Sequence, residues 1–186
     1  MSTDFPLPPN LPRPVDDGAA DHLPGTRLPS VPLLSTAGRR VDLSTLAGRT
    51  VVYCYPRTGR SGVAPPVSWD QIPGARGCTP ESCGFRDHHR DLLAAGAAAV
   101  FGLSTQPTDY QRELAERLHL PFEILSDEHF AFARPLRLPK FDVAGMTLLR
   151  RLTLVARDGV IEKVFYTVFP PDTHAAEVVA WLRSVA

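Results

Sequence analysis

Two runs of residues limit the fold more than any other feature: Thr50-Val51-Val52-Tyr53-Cys54-Tyr55 and Ala97-Ala98-Ala99-Val100-Phe101-Gly102-Leu103-Ser104. Neither alternates apolar with polar side chains, the pattern of strands covered on both faces. Between them, residues 81–95 read as a helix, with Phe85, His89, Leu92 and Leu93 near helical spacing and Gly96 as its stop. A doubly buried strand, a helix and a second such strand predict a largely parallel sheet with helices on both faces.

The rest of the chain extends this pattern. Residues 110–118 predict a helix, with Thr108 or Asp109 as N-cap. Residues 122–125 predict a short strand and 128–136 a further helix. Strands over 146–155 and 160–165 flank Arg157-Asp158-Gly159, whose Asp-Gly pair favours a hairpin and adds an antiparallel portion. A closing helix spans 173–185. Residues 28–34 read as an edge strand, because Pro29 and Pro32 do not suit a central one. One helical turn follows within 41–48. The fold expected is α/β, a central mixed sheet with helices on both faces.

Residues 1–27 carry Pro6, Pro8, Pro9, Pro12, Pro14 and Pro24 without amphipathic period. They read as an extended or mobile arm before a single domain over 28–186. Residues 57–77 form a loop rich in Gly and Pro; a loop of that length in a compact domain is usually functional or mobile. Twenty basic against twenty acidic residues give zero net charge, which argues against nucleic acid or an anionic membrane as partner. No apolar run reaches the roughly 20 residues of a membrane span. Met1-Ser2-Thr3-Asp4-Phe5-Pro6 has neither basic nor apolar signal regions, so a cytoplasmic location is expected. Three cysteines are too few for a disulfide scaffold.

Cys78 and Cys83 stand where the long loop becomes a helix. Unpaired N–H groups and the dipole of a helix start favour negative charge. They are expected to lower the Cys78 pKa from roughly 8.5 into the range of about 3.5–7.5 of activated thiols. Residues five apart in an α-helix have Cα atoms about 8.6 Å apart, beyond the roughly 7 Å limit for a disulfide. Bonding therefore requires the first turns to unwind, which Pro80 and the adjoining glycines ease. A thiolate attacking a peroxide gives a sulfenic acid, which a second thiol condenses to a disulfide. Two inert buried thiols are the alternative reading of the pair.

The segment Gly77-Cys78-Thr79-x-x-x-Cys83-Gly84-Phe85-Arg86-Asp87 resembles the active-site stretch of peroxiredoxins, most closely the peroxiredoxin Q (bacterioferritin comigratory protein) branch. The resemblance runs from about Leu28 to the C-terminus. It includes Val52-Tyr53-Cys54-Tyr55-Pro56, Gly102-Leu103-Ser104-Thr105, Leu125-Ser126-Asp127, and Arg151-Leu152-Thr153-Leu154 followed by Asp158-Gly159-Val160-Ile161. It implies a thioredoxin-like fold and a thiol peroxidase acting on hydrogen peroxide or organic hydroperoxides. In it, Cys78 is the peroxidatic thiol, Cys83 the resolving thiol that forms an intrachain disulfide, and Arg151 the arginine that orients thiolate and peroxide. A thioredoxin-like protein is the implied reductant and no cofactor is implied. A monomer or a homodimer is expected. Arg150 is adjacent to Arg151, but neighbours on a strand point to opposite faces, so only one can meet the site.

One departure from the family is plain. The family loop runs Pro-x-x-x-Thr/Ser-x-x-Cys, whereas here Ala75 stands three before Cys78 and Gln71 at the proline position. Pro56 lies 22 residues before Cys78, so an insertion, approximately 58–72, interrupts the motif. The hydroxyl that meets peroxide in the family would come from Thr58, from Thr79, or be absent. Trp69 is either an apolar wall of a substrate pocket or a cover for the domain surface. Cys54 reads as a packed, unreactive thiol, and Tyr53 and Tyr55 as pocket border or core. His88 and His89, about 100° apart on a helix, do not suit one metal ion. Two rival functions remain: a redox sensor or binding module whose helix melts on oxidation without efficient turnover, and a disulfide oxidoreductase, which usually carries Cys-x-x-Cys.

Overall fold

The computed structural model describes residues 5–186. Its elements in chain order are β1 (Pro32–Ser35), β2 (Arg40–Asp42), β3 (Arg49–Cys54), α1 (Cys78–Asp87), α2 (His89–Ala94), β4 (Ala97–Ser104), α3 (Thr108–Arg117) and β5 (Glu123–Ser126). Then come α4 (Ala133–Leu136), β6 (Lys140–Val143), β7 (Met146–Leu149), β8 (Leu152–Arg157), β9 (Val160–Phe165) and α5 (His174–Ser184). Seven strands form one sheet in the order β2-β1-β5-β4-β3-β8-β9, and β6 with β7 makes a separate hairpin. The central trio β3, β4 and β5 is parallel; β8 lies antiparallel to β3, and β9 to β8. The two runs that read as doubly buried are β3 and β4, at the middle of the sheet. This is the mixed α/β sheet expected.

Strand alternation divides the core in two. On one face, Val51, Tyr53 and Tyr55 pack under Cys83 and Phe85 of α1, Leu92 of α2, Leu114 of α3, and Val178 and Leu182 of α5. On the other, Val52 and Cys54 join Leu103, Leu125, Leu136 and Leu154. Among the described residues, the four-residue α4 and a short 3-10 turn at Leu43–Thr45 are helical on that second face, and the N-terminal segment covers much of the rest.

That segment departs from a mobile arm. Ala20 and Leu23 are buried in the second core beside Leu28. The Gly25 N–H donates to the Ile161 carbonyl at 2.8 Å and the Leu28 N–H to that of Gly159 at 2.8 Å. A boundary at residue 27 thus runs through packed chain, and the prolines hold an extended path across the domain. Residues 1–4 of the arm lie outside the described residues.

Other boundaries moved for local reasons. The helix expected over 81–95 starts at Cys78 and breaks at His88 into α1 and α2. β1 is not an edge strand; it lies between β2 and β5, with Pro32 as its first residue, where a missing N–H is tolerated. The helix over 128–136 shrinks to α4, because the Asp127 carboxylate accepts from the N–H groups of Phe132 and Ala133 at 2.9 and 2.8 Å and holds a turn there. The strand over 146–155 is two strands, β7 and β8, broken at Arg150-Arg151.

Candidate active site

Cys78 is the first residue of α1. Gly77 before it takes a left-handed φ of 110°, and a Cβ there would lie 2.4 Å from Pro171 Cγ. Only glycine fits this entry. Cys78 is 3% exposed, with its thiol 3.6 Å from the Ala75 carbonyl.

The break between β7 and β8 carries the guanidinium of Arg151, whose side chain is 1% exposed. Its Nη2 donates to the Cys78 sulfur at 3.2 Å and to the carbonyls of Ala75 and Arg76 at 3.1 and 3.3 Å. Its Nη1 donates to the carboxylate of Glu81, which is fully buried one turn into α1. Arg150 does not share this position: its Nε donates to the Lys140 carbonyl on the surface. Ala75, which replaces the family hydroxyl residue, serves through its backbone, as acceptor to both thiol and guanidinium.

Electrostatics at the sulfur differ from the sequence expectation of an acidic thiol. Burial is the largest influence and pushes the Cys78 pKa up. The Arg151 guanidinium and the backbone N–H of Arg57 pull it down, while the Glu81 carboxylate pushes it up again. Burial likewise raises Glu81, against the pull of Arg151 and His174. In this closed site, desolvation outweighs the helix start.

Cys83 is buried five residues along the same helix, so helical geometry keeps the two sulfur-bearing residues about 8.6 Å apart at Cα. Beneath α1, Tyr53 stacks on Phe85 at 4.3 Å between centroids, and its hydroxyl donates to Ser82 Oγ at 3.1 Å. Tyr53 and Tyr55 are therefore core under the helix. Cys54 faces away, into the second core, with its thiol pKa driven up by burial. His88 pairs with Asp91 at the surface, and His89 packs against Phe122. Among the described residues no group of three or more His, Cys, Asp or Glu side chains is arranged to hold a metal ion.

A cavity of about 500 Å³ opens onto Cys78. Thr58, Trp69 and Thr79 all line it, together with more of the inserted loop and Phe5, Pro6 and Leu7. Trp69 is also tied to the β6–β7 hairpin, in a small third core with Ala75 and Leu148 and 6.2 Å from the Phe141 ring. This tryptophan thus lines the cavity and packs on the hairpin. Thr58 is clamped: its N–H and hydroxyl reach Gln106 Oε1 at 2.9 and 3.2 Å, and Gln106 Nε2 returns to its carbonyl at 3.1 Å. Sequence reasoning missed Gln106 and Glu81. A glutamine after a strand and a glutamate in a first helical turn carry no local signal for these tertiary roles.

The redoxin family profile matches residues 23–180. The chloroplastic peroxiredoxin Q of Oryza sativa subsp. japonica is 31% identical over 162 residues, spanning 87% of this chain and 67% of that protein. The peroxidoxin BcpB of Mycobacterium tuberculosis has a similar structure, with a TM-score of 0.70 and 26% identity, over 89% of this chain and 99% of that one. Peroxiredoxin Q of Xanthomonas campestris, at 20% identity, shares the fold with a TM-score of 0.64 over 92% and 96% of the two chains. With a helix-start thiol bonded to a buried guanidinium on this sheet, the chain belongs to the redoxin family and, within it, to the thiol-dependent peroxidases of the peroxiredoxin Q branch.

Proposed function

We propose that Cys78 attacks the hydroperoxide O–O bond as thiolate, that Arg151 orients sulfur and peroxide, and that Cys83 resolves the sulfenic acid as an intrachain disulfide. The observation that carries this reading is the 3.2 Å contact of Arg151 Nη2 with the Cys78 sulfur at the first residue of α1. The guanidinium fork has donors to spare for a peroxide oxygen. Attack forms the S–O bond, breaks O–O and releases water or an alcohol. The first turns of α1 then unwind, and the Cys83 thiol displaces water from the sulfenic sulfur. A thioredoxin-like dithiol restores both thiols. Every residue in this cycle comes from one chain, which suits a monomer, and its need for a dithiol donor suits a reducing cytoplasm.

Steady-state peroxide consumption with thioredoxin as donor tests the roles. Cys78→Ser is expected to abolish turnover. Cys83→Ser is expected to form one sulfenic acid per chain and then stall. Full activity in Cys78→Ser, or one oxidation event without turnover in the unaltered protein, contradicts the proposal.

A further inference from the structure

The cavity above Cys78 carries charge that thiol chemistry does not need. Arg57, Arg60, Arg76 and Arg117 line it, and no Asp or Glu does among the described residues. Two are neutralised: Arg76 pairs with Asp70 at 3.0 Å and Arg117 with Glu113 at 2.7 Å. Arg57 and Arg60 form no ion pair among the described residues. Arg57 Nη1 meets only the weak acceptor Met146 Sδ, at 3.5 Å. Arg60 lies 3.9 Å over the Tyr110 ring, its Nη2 donates to the Asp109 carbonyl at 3.2 Å, and its buried Nε has no acceptor among the described residues. The two flank Thr58 at the start of the insertion and line the same cavity as Cys78. The remaining wall is largely apolar, with Phe5, Leu7, Val63 and Trp69.

Hydrogen peroxide requires none of this. The volume is that of a site for an organic molecule. An anionic group in the cavity gains strong charge-assisted bonds from guanidinium groups that hold no carboxylate. We infer that the insertion makes this enzyme selective for organic hydroperoxides that bear an anionic group, Arg60 and Arg57 holding the anion while the apolar wall takes the carbon frame. The inference rests on the peroxidase reading. The thiolate takes the terminal oxygen, the O–O bond breaks, and the alkoxide gains a proton from water. The product is an alcohol that keeps its anionic group.

Three probes test it, with dithiothreitol as donor: cumene hydroperoxide carrying a para-carboxylate, the methyl ester of that hydroperoxide, and hydrogen peroxide. The kcat/KM of acid over ester is expected to be on the order of tenfold. That ratio is expected to fall towards one in Arg60→Gln and Arg57→Gln, to persist largely in Arg60→Lys, and to shrink with added salt. Because the ratio is taken within one variant, any general loss of activity cancels. Equal rates on acid and ester in the unaltered protein, with hydrogen peroxide still reduced, overturn the inference and leave the peroxidase reading standing. An undiminished ratio in both glutamine variants overturns the assignment to these arginines. No turnover of any of the three overturns both readings together.

Discussion

Around the Cys78 sulfur, burial, a guanidinium, a carboxylate and a backbone N–H act at once, and their signs differ. Only the thiolate attacks, so the rate of sulfenic acid formation rises with pH until the thiol is fully ionised. Arg151→Met removes a pull towards the anion. It is expected to move the pH profile of Cys78 alkylation to higher pH and to slow reaction with hydrogen peroxide at pH 7 by about 10²–10³, the usual loss for one aimed donor. Glu81→Gln removes a carboxylate that pushes the pKa up, so its alkylation profile moves to lower pH. Arg151→Met also strands the buried Glu81, at a cost of about 3–5 kcal/mol. Combining it with Glu81→Gln is expected to recover stability in urea but not the reaction rate. Recovery of the rate contradicts a role for Arg151 at the sulfur.

In the proposed cycle, helix α1 is intact to hold the thiol and opens to resolve it. Its entry depends on Gly77, where φ is +110° and Pro171 leaves no room for a Cβ. Gly77→Ala is expected to destabilise by about 1–2 kcal/mol from the left-handed backbone alone, and by more from the clash. A urea midpoint unchanged from that of the unaltered protein contradicts this. The central strands were legible because β3 and β4 are long and apolar without alternation, a pattern that solvated chain rarely carries. The start of α1 was less legible, since its N-cap is a glycine with no capping side chain to announce it. The break at Arg150-Arg151 was hidden inside an apolar run. It is fixed from elsewhere, by the Arg150 N–H donating to the Pro139 carbonyl at 2.8 Å and by Arg151 reaching α1. Cys78, Cys83 and Arg151 were readable as a motif, whereas Glu81 acquires its role only once β8 brings Arg151 beneath it. The acidic thiol failed as an expectation because a helix start is visible in a sequence and the depth of burial is not.

In the described residues the main sheet has two unequal covers, four α-helices on one face and α4 with the N-terminal segment on the other. Prolines made that segment look detached, but Leu23 is fully buried against the second core. Leu23→Ala is expected to cost about 2–5 kcal/mol in urea denaturation, as for other buried leucines; a neutral outcome contradicts its place in the core. This arrangement leaves Cys54 on the far face from the site and puts both remaining thiols on one helix. Mass mapping of disulfides after one equivalent of hydrogen peroxide tests the account most directly. It predicts a Cys78–Cys83 bond within one chain and Cys54 still a thiol. A bond through Cys54, a bond between two chains, or Cys78 and Cys83 both unmodified would contradict it.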